Sequence, residues 1–370
     1  MSQSPITYFL SKPELQGLIE ELRRRDFEVV GPTIDQNAIL YSEILSVAQL
    51  PQGWTDQQAA GHYRLERRED AAWFGFVVGP HSWKKYLFPP KSTLLSVQQT
   101  ERGWEFLPPP PDLKKFAFLG VRACELAAIR IQDRVFIEGT YHDPLYRDRR
   151  ESVFLIAVNC TQAASTCFCV SMETGPRCNE GYDLSLTEID SGFLCEIGTT
   201  QGQEVLSVCN IRPANSEELD QAANARQRAV DQMTRPMQTQ DLPQILMANL
   251  NHPRWKEVGE RCLSCANCTL VCPTCFCSSV TEIRDLNTGS VDRERSWDSC
   301  FNPDFCHLSE GPVRAETSDR YRQWLTHKLG SWHEQFGSSG CVGCGRCITW
   351  CPVAIDIREE VAALREGEFS

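Results

Sequence analysis

The segment RCLSCANCTLVCP sets Cys262, Cys265, Cys268 and Cys272 at C-x2-C-x2-C-x3-C spacing and follows them with Pro273. A second copy, CVGCGRCITWCP, repeats the spacing at Cys341, Cys344, Cys347 and Cys351, with Pro352 behind it. This is the bacterial iron-sulfur run, in which three closely spaced thiolates hold one cubane and the fourth cysteine ligates the other cluster. One 4Fe-4S cluster is therefore expected on Cys262, Cys265, Cys268 and Cys351. The second is expected on Cys341, Cys344, Cys347 and Cys272. Two-residue gaps let a loop fold around three corners of a cube, and the prolines stop that loop from continuing as a helix. Gly343 and Gly345 leave room for backbone to approach the sulfides. Pairs of C-x2-C also build tetrahedral zinc sites, but two complete quartets with trailing prolines favour iron and sulfide.

Between the quartets lie 68 residues, more than a compact small ferredoxin would use. Their flanks read as helical rather than β. Ser318 to Phe336 places Tyr321, Trp324, Leu325, Leu329 and Trp332 on one helical face, which is read as a face packed on its own core rather than a docking stripe. Upstream, FAFLGV, a helical stretch from Ala123 to Phe136 and VFLIAV read as strand, helix, strand, a parallel βαβ unit. A hairpin of LSLTEI and FLCEIG joined at Asp190 to Gly192 follows, then a polar helix from Asn215 to Met233. Near the start, Pro13 to Arg25 reads as a helix behind a Ser11 cap, and WFGFVV as an extended piece. The segment MTRPMQTQDLP has no apolar period and reads as a linker. The expected fold class is an α+β/α multidomain chain. A mixed α/β domain over 1–235 precedes an α-helical, ferredoxin-like dicluster domain over 245–370.

The chain has 370 residues, of which 41% are hydrophobic, enough for two ordinary globular domains. Its 19 cysteines are an odd number, and ten of them fall between Cys262 and Cys351, so a uniform disulfide framework is excluded. No apolar run is long enough to span a bilayer. The start MSQSPITYFLSKPELQ has no features of an export signal, so a reducing cytoplasm is expected, where thiolate and metal chemistry outcompetes disulfides. A net charge of −12 argues against a phosphate-backbone partner, so no nucleic acid is expected.

A third site is suggested by Cys124, after one buried strand at the start of a helix, and Cys160, at the end of the next strand. Both would lie at the carboxyl edge of a parallel sheet, where ligand sites form, and the helix N-terminus would favour a thiolate. Cys167 and Cys169 in TCFC complete four candidate ligands for a third iron-sulfur cluster. Zinc, or inert buried cysteines, are the competing readings. Cys275, Cys277, Cys300 and Cys306 are read as packing cysteines near the clusters. Cys178, Cys195 and Cys209 receive a core reading. Arg149, Arg150 and Arg346 are read as solvated surface. No H-E-x-x-H, nucleophile elbow, G-x-G-x-x-G or Walker loop occurs, so a hydrolase or nucleotide site has no anchor. Neither quartet leaves an open coordination position, which favours conduction over catalysis.

With FLGVRACELAAIRIQDRVF, NCTQAASTCFCVSMETGP, RCLSCANCTLVCPTCFC, RQWLTHK and CVGCGRCITWCPVAIDI in view, the chain resembles the beta subunit of soluble sulfhydrogenase-type nickel-iron hydrogenases. It is similar as well to an iron-sulfur component of anaerobic sulfite reductase. The resemblance runs from about Phe116 to Ile357. Ala123 stands where that pattern usually has proline, and Glu173 where it has glycine. The resemblance implies a non-catalytic electron-transfer subunit of a hydrogenase complex. Its partners would be a flavin- and NAD(P)H-binding subunit and the hydrogenase small and large subunits. The alternative is a component that itself reduces sulfur, polysulfide or sulfite at the site of Cys124, Cys160, Cys167 and Cys169.

Overall fold

The computed structural model describes residues 6–109 and 114–366. Met1 to Pro5, the first residues of the start read for an export signal, lie outside the described residues. The FAFLGV piece forms within the strand Lys115–Val121, the helix Ala123–Phe136 follows it, and the VFLIAV piece forms the strand Phe154–Val158. The two strands pair in parallel, as a βαβ unit requires. Phe27–Asp35 joins on one side and Leu184–Ile189 on the other, both parallel. Antiparallel strands Ala38–Glu43, Gly192–Ile197, Tyr8–Ser11 and Ile211–Pro213 complete an eight-stranded sheet. Both faces are covered, as the continuous apolar runs of its central strands demand. Leu15, Leu18 and Leu22 of the helix Glu14–Arg24 pack with Ile156 and Leu186 on one face. Ala123, Leu126 and Ile129 pack with Phe118 and Leu155 on the other. Cys195 and Cys209 lie in the first of these cores, in keeping with their core reading.

Two local expectations are corrected. Ser11 ends the first strand and does not cap the helix, which begins after Pro13. Trp73 to Val78 is buried but joins no strand, because carboxylates take its amides in place of a neighbouring backbone. Glu188 accepts from the backbone N–H of Trp73 at 2.7 Å and of Phe74 at 2.8 Å, and Asp56 from that of Val77 at 2.7 Å. Arg122 donates to the carbonyls of Phe74 and Phe76 at 2.9 and 3.1 Å. Buried backbone groups must be paired, and here side chains from distant segments do the pairing.

The expectation of an α-helical C-terminal domain is corrected in part. Helices Leu242–Ala248, Arg254–Arg261 and Thr317–Thr326 are present. The long helix continues through a π-helical turn, His327–Ser331, into Trp332–Phe336. Tyr321, Trp324, Leu325, Leu329 and Trp332 are all buried, as the core reading of that face expects. The residues between the quartets, however, hold the hairpin Ser278–Arg284 and Val291–Trp297. Its second strand pairs with Lys91–Thr100, which pairs in turn with Gly103–Leu107. The resulting four-stranded sheet ties the cysteine-rich part to the α/β part, so the architecture is mixed α/β throughout. No helix among the described residues is long and apolar enough to cross a membrane.

Candidate functional site

Each quartet begins in a loop whose backbone turns left-handed at alternate residues. Ser264 and Ala266 have φ of 50° and 65°, and the equivalent Gly343 and Gly345 have 63° and 76°. These turns aim amides inward. Ser264 N–H lies 3.5 Å from Cys262 Sγ, and Gly343 N–H lies 3.4 Å from Cys341 Sγ. Ile355 N–H reaches Cys351 Sγ at 3.3 Å. A short helix follows in each copy, Asn267–Leu270 and Arg346–Thr349. Backbone concavities of this kind stabilise anions, the charge state in which a cysteine ligates iron.

The two loops differ in what packs against them. A Cβ on Gly345 would lie 2.5 Å from the carbonyl oxygen of Thr166, and one on Gly343 would lie 2.6 Å from that of Phe168. Glycine is needed there for the close approach of the TCFC loop as well as for the turn. Gly345→Ala is expected to destabilise the folded chain by about 2 kcal/mol or more, left-handed strain alone contributing about 1–2 kcal/mol. Denaturant unfolding of the two forms side by side checks this, and equal midpoints would refute it.

The quartet cysteines gather around two cavities. Cys262, Cys265, Cys268 and Cys351 line one cavity. Cys272, Cys341, Cys344 and Cys347 line a second, and Cys347 borders both. Burial pushes the Cys268 and Cys347 thiols well up, and their cysteine neighbours push them further. Four thiolates so placed would repel one another, a cost that a cationic group bound among them would offset. Among the described residues, no group of three or more His, Cys, Asp or Glu is arranged to hold a single metal ion.

Cys124, Cys160, Cys167 and Cys169 also come together. Cys124 feels Cys344, Cys169 and Cys160, and Cys169 feels Cys167, Cys160 and Cys344. The third group therefore sits beside the second cavity, with Cys344 between them. Cys124 lies in the first turn of its helix. Burial, followed by the neighbouring cysteines and Glu125, pushes its thiol well above the ordinary range. Burial likewise lifts Cys167 to about 12, and lifts Cys160 against the opposing charge of Arg122. Cys178, read as a core cysteine, is buried beside Cys160 and Arg122. Glu173, with φ of 57°, explains why glycine suits that position. Ala123 is the first helical residue after Arg122, a position that favours proline.

The burial of four charged residues, Arg346, Glu125, Lys328 and Lys84, is not evident from the sequence. Arg346 is wholly buried, not surface, and pairs with Glu125 at 2.5 Å. Its other donors reach the carbonyls of Gly79 at 2.8 Å and His81 at 2.9 Å. Glu125 also accepts from Tyr41 and Trp83, both at 3.0 Å, and from the backbone N–H of Arg122 at 3.1 Å. This network fixes the first turn of the helix that carries Cys124 and ties it to the second quartet. Lys328, 3% exposed, donates to Thr274 Oγ1 at 3.0 Å, to the Gly340 carbonyl at 3.2 Å and to Cys272 Sγ at 3.4 Å. The π-turn places it there, and such turns are frequent at functional sites. Lys84, also buried, reaches the Cys275 carbonyl at 3.1 Å. The RQWLTHK motif, which ends in Lys328, was the available sequence signal. Arg150 conforms better to its surface reading, half-buried and paired with Asp133 at 3.1 Å.

Residues 261–355 match the family described as a 4Fe-4S dicluster domain. The chain is 29% identical over 358 residues to sulfhydrogenase 2 subunit beta of Pyrococcus furiosus, an alignment covering 96% of each chain. No solved structure is detectably similar. Along nearly its whole length the chain is thus similar to a sulfhydrogenase beta subunit, and over residues 261–355 it carries a 4Fe-4S dicluster domain.

Proposed function

We propose that the chain is an electron-relay subunit that connects a flavin- and NAD(P)H-handling partner with a nickel-iron hydrogenase module. The supporting observation is the continuity of the three thiol groups. The first cavity opens at the surface through the exposed Cys265. It shares Cys347 with the second, and the second abuts the third group at Cys344.

On this reading Cys262, Cys265, Cys268 and Cys351 hold one 4Fe-4S cluster, and Cys341, Cys344, Cys347 and Cys272 hold another. Cys124, Cys160, Cys167 and Cys169 hold a third. A bound cluster supplies a one-electron carrier whose potential its surroundings tune. The chain's own residues hold it, exclude water and set its charge environment. Amides of Ser264, Gly343 and Ile355 neutralise part of the ligand charge. Lys328 does the same at Cys272.

Iron and acid-labile sulfide counted on anaerobically purified protein test the assignment. About twelve irons per chain are expected, about four for each cluster. About eight would remove the third cluster from the path, and zinc without sulfide would overturn the redox reading.

A further inference from the structure

Cys275, Cys277 and Cys300 belong to none of the three ligand sets, yet they are not scattered. Cys275 stands beside Cys272, Cys277 stands beside Cys300, and Cys275 feels the charge of Cys277. A line of sulfurs thus runs from a proposed cluster ligand to a cavity of about 360 Å³ that Cys275, Cys277 and Cys300 all line. The three are half-buried, so the cavity reaches them.

The hairpin makes the pairing. Cys277 directly precedes the strand Ser278–Arg284, and Cys300 follows its partner Val291–Trp297. The backbone N–H of Asp298 donates to the Cys277 carbonyl at 2.9 Å and clamps the strand ends together. Lys328, His327 and Arg314 stand on the same cavity wall, which suits an anion formed there.

The two thiols are also unequal. Hydrogen bonds from the Cys300 side chain and backbone, with help from Lys328, outweigh burial and hold Cys277 at about 7. The bond to Cys277 and burial push Cys300 far up. An attacking thiol works best when its ionisation lies near ambient pH.

We propose that Cys277 and Cys300 form a redox-active dithiol that reduces the S–S bond of a small organic disulfide bound in this cavity. The inference rests on the reading of an electron-carrying centre at Cys272. The Cys277 thiolate attacks one sulfur of the disulfide RSSR′, a mixed disulfide Cys277–S–S–R forms, and R′S⁻ leaves and takes up a proton. Cys300 gives its proton to solvent and attacks Cys277 Sγ, the mixed bond breaks, and RS⁻ leaves and is protonated. One substrate disulfide has become two thiols, and the protein holds a Cys277–Cys300 disulfide. Two electrons and two protons restore the dithiol. A cluster held at Cys272 would supply the electrons one at a time, and solvent would supply the protons.

The test uses the anaerobically purified full chain and hydroxyethyl disulfide as probe. After acid quenching, free thiols are alkylated and mapped by mass spectrometry, and iron and sulfide are counted on the same sample. Cys277 and Cys300 are expected to become unreactive together, as one intramolecular disulfide that dithionite reopens, with the iron content unchanged. Cys300→Ser is expected to trap the probe on Cys277. If that variant does not fold, the wild-type map decides. Intact iron and sulfide with Cys277 and Cys300 still alkylated, or labelling spread over the quartets, overturns the dithiol and leaves the relay standing. Absence of iron and sulfide overturns both.

Discussion

In an assembled hydrogenase complex, a chain carrying Cys344→Ala is expected to pass no electrons between pyridine nucleotide and hydrogen, while dye-linked hydrogenase activity persists. Cys344 lines the second cavity and is the neighbour of Cys124, Cys167 and Cys169. Its loss opens the relay at its middle, with other thiol groups on both sides. Iron is expected to fall by about four per chain. The dye bypasses the subunit, so its activity serves as the control for an intact hydrogenase module. Preserved coupling would sink the relay. Loss of both activities would point instead to failed assembly.

The second large effect is expected at Lys328. Reduction adds negative charge to a cluster, and the buried ammonium 3.4 Å from Cys272 Sγ would stabilise the reduced state of a cluster held there. Lys328→Met is therefore expected to make the second cluster harder to reduce. A unit charge several ångströms from a cluster held at Cys272, at an effective dielectric constant of about 20, would interact by about 2 kcal/mol. This corresponds to a downward shift on the order of 100 mV. The sign follows from the charge, so Lys328→Arg, which keeps the cation, should restore most of the potential. A redox titration followed by electron paramagnetic resonance would resolve one shifted cluster beside an unshifted one. Equal potentials in wild type and Lys328→Met would refute the role. A uniform shift of all clusters would mark a general structural change rather than a local charge.

The hairpin between the quartets shows where reading by segment stops. Ser278–Arg284 and Val291–Trp297 lie in a stretch read as helical, and neither strand is buried on both faces. Their partner, Lys91–Thr100, is nearly 200 residues earlier in the chain. A half-exposed strand carries a weak apolar period, and its sheet partner is a property of the assembled fold. Trp73 to Val78 shows the reverse case. Its apolar run suggested a strand, but the carboxylates of Glu188 and Asp56 captured its amides.

Within the candidate site, spacing carried most of the information. The gathering of the quartet cysteines around two cavities was legible because short loops with fixed gaps bring their thiols together, and that constraint is local. The meeting of Cys124, Cys160, Cys167 and Cys169 was legible because a parallel βαβ unit brings successive strand ends to one edge. The tertiary structure alone decided the charges. Arg346 stands in a quartet and reads as a surface arginine, yet it is wholly buried against Glu125. Lys328 shares a helix with exposed polar residues and is turned inward by one π-turn. It decided the surroundings of Cys124 too, where burial and the neighbouring cysteines push the thiol up. Ligand geometry is written in neighbouring residues, whereas the burial of a charge depends on what packs opposite it, and that comes from distant parts of the chain.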